Sequence, residues 1–226
     1  KFKERYISVN SAFGGFGIYK LSYLLSFKYE SNYGKNSEHV SFKRTELMSI
    51  KLEVLDKDPQ LAADMARAYV DGFQTSTDEA NIEGGWGYNS VNAMVKHWPS
   101  GGPEEGGRDG HFSFGKFTVY PGQNLKDHLI PFTEGAFDLE GGTGMASAVM
   151  PYYTISFGQD PSGKNVGNSY SSYIINDLLR GTYEYDGVVC TDWGVTRDST
   201  AVDAFSGRPW GVEEFTEAER HYLAII

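Results

Sequence analysis

Three short groups of polar and aromatic residues have the chemistry to act on a sugar, and each follows an apolar run. They are Lys96-His97-Trp98, Tyr152-Tyr153 and Asp192-Trp193. A carboxylate at the end of a buried strand can attack the anomeric carbon, and an adjacent indole offers an apolar face to the sugar ring. The alternative for Asp192 is a helix N-cap, a position that aspartate favours. These residue types alone leave both interpretations open.

Lys96 and His97 can donate hydrogen bonds to sugar hydroxyls at neutral pH. The alternative is a solvated strand end in which the imidazole donates to a carbonyl group. Each of the three groups is a weak signal by itself, so their meaning depends on the elements that position them.

Helices and strands are predicted to alternate over residues 54–226, which is typical of parallel βαβ units. The first helix is expected to begin at Pro59, with Asp58 as its N-cap. Its buried stripe would consist of Leu61, Met65, Tyr69 and Phe73. The remaining predicted elements are strands at 91–97, 146–155 and 187–191, and helices at 124–132, at 169–179 (followed by Gly181) and from Thr216, where a capping box begins. The strand at 187–191 is expected to be buried on both faces.

Long glycine-rich segments at 99–123 and 156–168 follow two of the predicted strands. In a (β/α) barrel, the loops after the carboxyl ends of the strands build the active site. The alternation and the length of 226 residues therefore predict an α/β fold, a TIM-type (β/α) barrel that is incomplete. A doubly wound open sheet is the second interpretation.

Charge divides the chain into two parts. Twenty Lys and Arg against 30 Asp and Glu give a net charge of −10. Residues 1–53 have a charge of +4 (nine basic, five acidic), whereas residues 54–226 have −14 (eleven basic, twenty-five acidic). This shift predicts an amino-terminal segment of uncertain origin and a separate domain at 54–226. The acidic balance disfavours nucleic acid as a partner. The single cysteine excludes an internal disulfide, and no apolar run reaches the ~20 residues of a membrane helix.

The stretch Gly187-Val-Val-Cys-Thr-Asp-Trp-Gly194 resembles the nucleophile segment of glycoside hydrolase family 3, the β-glucosidase-like enzymes. Other stretches resemble, in the order expected for this family, its Lys-His loop, the strand of its active-site tyrosine and the segment after its Glu-Asp-Pro turn. They are Val95-Lys-His-Trp-Pro99 with 107–112 and 115–122, Val149-Met-Pro-Tyr-Tyr153, and Asp58-Pro-Gln-Leu61. Residues 54–226 therefore resemble the C-terminal part of a family 3 barrel domain.

The resemblance implies a role for each matching residue. Asp192 would be the nucleophile of a retaining exo-β-glucosidase-like hydrolase that forms a glycosyl-enzyme ester. Lys96 and His97 would bind hydroxyls of the terminal non-reducing sugar. Tyr153 would lie close to the nucleophile, and Trp193 would border the same subsite.

Arg108 and Asp109 would line this pocket, with roles that the resemblance leaves open. Lys96 would also help to keep Asp192 ionised, because an adjacent positive charge favours a carboxylate. No metal or organic cofactor is implied. The expected partner is a carbohydrate substrate, a β-glucoside or a related oligosaccharide.

The resemblance places the general acid outside this chain. In β-glucosidase-like members the acid is a glutamate on a following α/β domain, and this chain stops at Ile226, so we expect that domain to be missing. Another branch uses an Asp-x-His pair, and Asp109 and His111 have this spacing. Their context is closer to the glutamate-using branch, so His111 is expected to be structural. The glycine-flanked Glu104 and Glu105 are expected to be solvated.

The family's aspartate and arginine segments have no match in residues 1–53. Ile18–Tyr29 predicts either a strand or a short buried helix. Residues 11–20 and 37–42 faintly resemble the end of a nucleotide-sugar glycosyltransferase domain. The preferred interpretation of residues 1–53 is a divergent or joined-on segment that covers the exposed side of an incomplete barrel. The functions considered are therefore a retaining hydrolase, an inert fragment that at most binds sugar and, with least support, a glycosyltransferase fragment. Family habit favours a periplasmic or exported protein.

Overall fold

The structure is a computed structural model that describes residues 48–51, 58–77, 84–200 and 206–224. Its strands are β1 (Met48–Lys51), β2 (Ala93–Trp98), β3 (Phe117–Thr118), β4 (Ala148–Pro151), β5 (Ile155–Ser156) and β6 (Val188–Val189). Its helices are α1 (Pro59–Gln74), α2 (Leu125–Ile130), α3 (Tyr173–Thr182, with π-type hydrogen bonding) and α4 (Glu217–Leu223). The predictions for Ile18–Tyr29, 11–20 and 37–42 fall outside the described residues.

Four of the described strands form a parallel sheet in the order β1-β2-β4-β6. Val95 of β2 and Val149 of β4 are partners in register, and both are fully buried, as expected for central strands of a parallel sheet. The α/β class is thereby confirmed. Among the described strands the sheet is open, so the predicted barrel is not seen.

β6 is shorter and more exposed than its apolar sequence predicts. It covers two residues of the stretch 187–191, and Val188 is 62% exposed. Among the described strands, β4 is the strand with which β6 pairs, so one edge of β6 has no described neighbour. A terminal strand has less cover than a central one. The prediction that this strand is buried on both faces is therefore wrong.

The predicted start of α1 is confirmed. The Asp58 carboxylate accepts hydrogen bonds from the amides of Gln60 (3.0 Å) and Leu61 (3.3 Å), and Pro59 occupies the first helical position. This arrangement satisfies amide groups that have no partner within the helix.

The buried face of α1 differs from the predicted stripe. Leu61 is 46% exposed. The residues that are buried are Ala62, Ala63, Ala66, Val70 and Gln74. The cause is the close approach of a π-helical turn, Pro131–Ala136, that continues α2: a Cβ added to Gly135 would lie 2.6 Å from the Ala63 carbonyl oxygen. Small residues on both elements permit this contact, and the larger side chains are displaced to the side.

Other predicted elements are present with different bounds. The strand expected at 146–155 ends at Pro151, and β5 after it pairs with β3 in a second, two-stranded parallel sheet. The helix expected at 169–179 begins at Tyr173 and includes Gly181 rather than ending before it. The strand at 91–97 (β2), the helix at 124–132 (α2) and the Thr216 capping box before α4 are confirmed.

Two apolar clusters support the sheet and its carboxyl end. In the larger cluster α1 and α3 pack with the sheet, through residues such as Val70, Ile174 and Val95. A second cluster lies where β4 ends; its buried members are Tyr152, Tyr153, Ile155, Tyr170, Val195, Trp210 and Val212. This second cluster fixes the loops in which the candidate site residues lie. In the described segments, no helix has the length and apolarity needed to cross a bilayer.

Candidate active site

The three residue groups singled out by their chemistry meet at the carboxyl end of the sheet. His97 lies in β2, Tyr153 follows β4 and Asp192 follows β6. Because these strands are neighbours and parallel, their carboxyl ends lie side by side. The topology therefore brings together residues that are far apart in the sequence.

Asp192 is 6% exposed and accepts hydrogen bonds on both carboxylate oxygens. The Tyr153 hydroxyl donates to Oδ1 at 2.9 Å, and the Trp193 amide donates to the same oxygen at 2.7 Å. His97 Nε2 lies 3.3 Å from Oδ2. The residues after Asp192 form a turn rather than a helix. The alternative of a helix N-cap is therefore wrong.

These contacts determine the ionisation of Asp192. Burial alone raises the pKa of this carboxyl, but the hydrogen bond and charge of His97, the Trp193 amide and the Tyr153 hydroxyl together hold the pKa below its ordinary value. Asp192 is consequently a buried carboxylate at neutral pH. The imidazole of His97 contributes directly to this state, a role that the sequence suggested only for Lys96.

Tyr153 remains a hydrogen-bond donor at neutral pH. Its burial, and then the negative charge and hydrogen bond of Asp192, raise the pKa of the phenol well above its ordinary value. The neighbouring Tyr152 packs against His97, with ring centroids 4.5 Å apart, and this contact orients the imidazole. Tyr152 thus has a positioning contact that the sequence did not predict.

A second carboxylate–imidazole pair lies beside Tyr153. His111 Nδ1 is 2.7 Å from Asp109 Oδ1, and the His111 ring is 5.1 Å from the Tyr153 ring. Burial raises the pKa of Asp109, but hydrogen bonds and charge from His111 and the charge of Arg208 lower it overall. Both side chains are about half exposed. His111 therefore contacts the site, although the sequence indicated only a structural role.

The loop that carries this pair is packed onto the end of β4. The Trp210 indole donates to the Gly110 carbonyl at 2.9 Å. A Cβ on Gly110 would lie 2.7 Å from the Thr154 methyl group and 3.0 Å from the Tyr152 ring. Glycine is required there because of this close approach.

The other predicted residues are more peripheral. Lys96 is half-buried in β2, on the same face as Met94. Trp193 is 79% exposed beside the buried Asp192. Arg108 Nη1 lies 4.0 Å from the Glu105 carboxylate, so the structure pairs these two loop residues with each other.

Arg208 is a site residue that no motif signalled. It is 6% exposed, its guanidinium carbon lies 4.8 Å from the centre of the Tyr153 ring, and Nη1 donates to the Trp193 carbonyl at 3.4 Å. These contacts join distant parts of the chain, so only the folded structure reveals them.

The turn after Asp192, residues 193–198, is also held by residues that precede and follow it in the sequence. Tyr170 donates to the Val195 carbonyl at 2.7 Å. The buried Arg220 of α4 donates to the Thr196 carbonyl at 3.2 Å and to the Asp198 carboxylate at 2.7 Å. Across the described ranges, no group of three or more His, Cys, Asp or Glu residues could hold a metal ion.

Comparison with known proteins identifies a family. The model of the family described as "Glycosyl hydrolase family 3 N terminal domain" matches residues 40–207. The match starts upstream of residue 54 and includes β1, which belongs to the main sheet.

Curated relatives match about three quarters of the chain. Beta-glucosidase C of Emericella nidulans is 40% identical over 161 residues, which are 71% of this chain and 24% of that protein. Periplasmic beta-glucosidase/beta-xylosidase of Dickeya chrysanthemi is 36% identical over 183 residues, 75% of this chain and 26% of that protein. This chain spans about a quarter of the length of the curated relatives it matches.

A solved structure supports the fold. The β-glucosidase EmGH1 of Erythrobacter marinus is 22% identical with a TM-score of 0.50, over 74% of this chain and 18% of that chain. At this identity the similarity concerns the fold alone.

Proposed function

Because this chain belongs to glycosyl hydrolase family 3, we propose that it carries the nucleophile of a retaining, exo-acting β-glucosidase-like hydrolase. The observation behind this proposal is the buried Asp192 carboxylate with its three donors, His97, Tyr153 and the Trp193 amide. Its lowered pKa provides the ionised carboxylate that a retaining hydrolase needs.

The two carboxylate oxygens have different roles in this proposal. Oδ1 accepts two short hydrogen bonds, whereas Oδ2 has the longer contact with His97. Oδ2 would bond to the anomeric carbon while the bond from that carbon to the leaving oxygen breaks, and the leaving oxygen keeps the electron pair. Water would then add to the anomeric carbon, lose a proton and release Asp192 as a carboxylate.

The surrounding residues would bind the terminal sugar. Lys96 and His97 would donate to sugar hydroxyls, and the exposed Trp193 indole would offer a stacking surface at the edge of the subsite. Arg108 and Asp109 would line the pocket on the side of the 99–123 loop. The substrate class would be β-glucosides or related oligosaccharides, as the names of the relatives suggest.

The test is covalent trapping. With 2,4-dinitrophenyl β-glucoside, we expect a rapid burst of phenolate, since such a leaving group needs little acid assistance. The 2-deoxy-2-fluoro analogue should leave a glycosyl ester on the peptide that contains Asp192, measured by mass spectrometry. Asp192→Asn should abolish both signals, whereas Asp177→Asn, at an exposed carboxylate of α3, should leave them unchanged.

Two outcomes of these experiments would contradict the hydrolase proposal. If neither β-glucosides nor β-xylosides give a burst, or if the burst survives Asp192→Asn, the hydrolase proposal is wrong. The first result would favour the alternative, an inert fragment that at most binds sugar. The open sheet of the described strands is the observation that keeps this alternative in view.

A further inference from the structure

A contribution to protein stability does not by itself explain why the Arg208 side chain is buried. The guanidinium is buried, and its Nε has no hydrogen-bond partner among the described residues. Burying a charged group with an unmade hydrogen bond costs free energy. No described carboxylate lies within salt-bridge distance of Arg208; the carboxyl whose pKa its charge lowers is that of Asp109.

The contacts that Arg208 does make converge on the donors of Asp192. Its guanidinium lies over the face of Tyr153, at a distance where a cation and an aromatic ring attract each other. Its Nη1 donates to the Trp193 carbonyl, and its own amide donates to the Gly194 carbonyl at 3.1 Å. Arg208 therefore holds both residues that donate to Asp192 Oδ1.

The backbone near Arg208 is shaped for this contact. Gly194, beside Arg208 Nη1, has a φ of 71°, a backbone conformation that residues with a side chain rarely adopt. Gly207 passes so close to the Arg197 carbonyl that a side chain would clash with it. Two glycines thus let the chain return against the turn after Asp192 and bring Arg208 over Tyr153.

We propose that Arg208 is a positioning residue, which fixes Tyr153 and the turn after Asp192 so that both donors reach Oδ1. A planar guanidinium can stack on the ring and donate to a carbonyl at the same time, which a lysine ammonium cannot do in the same geometry. The inference rests on the proposed role of Asp192 as the nucleophile.

A test of Arg208 must separate the effect of its charge on the groups around Asp192 from its effect on their positions. His97 approaches from β2 and Tyr153 from the end of β4, with the Asp109–His111 pair beyond Tyr153. Loss of Arg208 would act both through charge and through position. Arg208→Lys keeps the charge but not the planar fork, whereas Arg208→Met removes both.

The experiment measures the Asp192 pKa directly in the full chain, by NMR titration of ¹³Cγ-labelled aspartate, with the signal assigned from Asp192→Asn. We expect the pKa to rise in Arg208→Lys and to rise further in Arg208→Met, because the two donors to Oδ1 are loosened. Arg180→Met is the matched control: Arg180 lies 5.5 Å from the Tyr185 ring and donates to carbonyls at Tyr185 and Gly187. It should leave the Asp192 pKa unchanged.

The rate of the burst gives a second readout. Misplacement of a reacting group by about 1 Å can cost about 10²-fold in rate, so we expect at least a tenfold slower burst in Arg208→Lys. If Arg208→Lys keeps the wild-type Asp192 pKa, the positioning role is wrong, whether or not Arg208→Met folds. A wild-type chain without a burst would instead contradict the proposed function, and the titration would still test Arg208.

Discussion

At the scale of single residues, the hydrogen bonds of Asp192 are asymmetric. Oδ1 accepts from Tyr153 and from the Trp193 amide, while Oδ2 faces His97 at a longer distance. Such an arrangement stabilises the negative charge and leaves one oxygen less engaged. A carboxylate held in this way is ionised without being fully occupied by its donors.

Tyr153→Phe tests the contribution of one donor. Loss of the hydroxyl removes a hydrogen bond to a charged group, and such bonds contribute about 1.5–3 kcal/mol. Because the hydroxyl lowers the pKa of Asp192, its removal should raise that pKa, and the acidic limb of the burst rate should move to higher pH. The measurement is the pH profile of the burst with 2,4-dinitrophenyl β-glucoside.

Tyr185→Phe is the matched control for this substitution. The Tyr185 hydroxyl is buried like that of Tyr153 but donates to the Ala146 carbonyl, which lies before β4 and outside the turn after Asp192, so its loss should leave the acidic limb in place. An unchanged acidic limb in Tyr153→Phe would show that the phenol does not help to ionise Asp192.

Sequence reasoning reached Asp192, Tyr153 and His97 because each follows or ends an apolar strand in a recognisable motif. It did not identify Arg208, because the contacts of this residue with Tyr153 and Trp193 form only when the folded chain brings residue 208 back against the turn after Asp192. Nor did it place His111 against Tyr153, since the spacing of Asp109 and His111 says nothing of what packs beside them. The contacts of Arg208 and His111 with Tyr153 have no local signal in the sequence.

At the scale of elements, the contact between α1 and the Pro131–Ala136 turn depends on the absence of side-chain volume. Gly135 meets the backbone of Ala63 so closely that even a methyl group does not fit. Gly72, within α1, has nothing within 4 Å of the position of an added Cβ. The two glycines therefore predict opposite effects of the same substitution.

Gly135→Ala should lower the free energy of unfolding by about 1–3 kcal/mol, because the added methyl group forces the two elements apart. Gly72→Ala should raise it by about 0.5–1 kcal/mol, because alanine is the better helix former and meets no neighbour. Urea unfolding followed by circular dichroism measures both. Equal effects of the two substitutions would contradict the close packing of this helix pair.

The same contact explains why the sequence predicted the existence of α1 but not its buried face. Leu61, Met65, Tyr69 and Phe73 repeat every four residues, but the alanine face next to them repeats in the same way. Hydrophobicity favours burial of the stripe with the larger side chains, whereas close packing of the two elements favours burial of the stripe with the smaller ones. The bounds of β4 and α3 also differ from those that the sequence predicted.

At the scale of the whole molecule, the described strands form an open sheet, and the chain spans about a quarter of the length of its relatives. The parallel α/β class follows from the alternation of elements, which the sequence displays. Closure of a barrel depends on how many strands pair, and no local pattern encodes that number.

The source of the general acid can be tested with aryl β-glucosides of graded leaving-group ability. Without an acid in the chain, the burst should slow steeply from 2,4-dinitrophenyl to 4-nitrophenyl to phenyl glucoside, since acid catalysis contributes about 10²–10⁴-fold. His111→Gln should leave this dependence unchanged. A shallow dependence that becomes steep in His111→Gln would contradict the expectation and assign the acid to His111.

Because the chain is synthesised from its amino terminus, the contacts of Arg208 and Arg220 with the turn after Asp192 form late. Asp192 leaves the ribosome before Arg208 and Arg220, two of the residues that hold the turn after it, because both follow it in the sequence. The family match ends at residue 207, one position before the first of them. A version of this protein shortened to the matched residues would keep Asp192, the proposed nucleophile, and lose Arg208 and Arg220, which contact the turn that follows it.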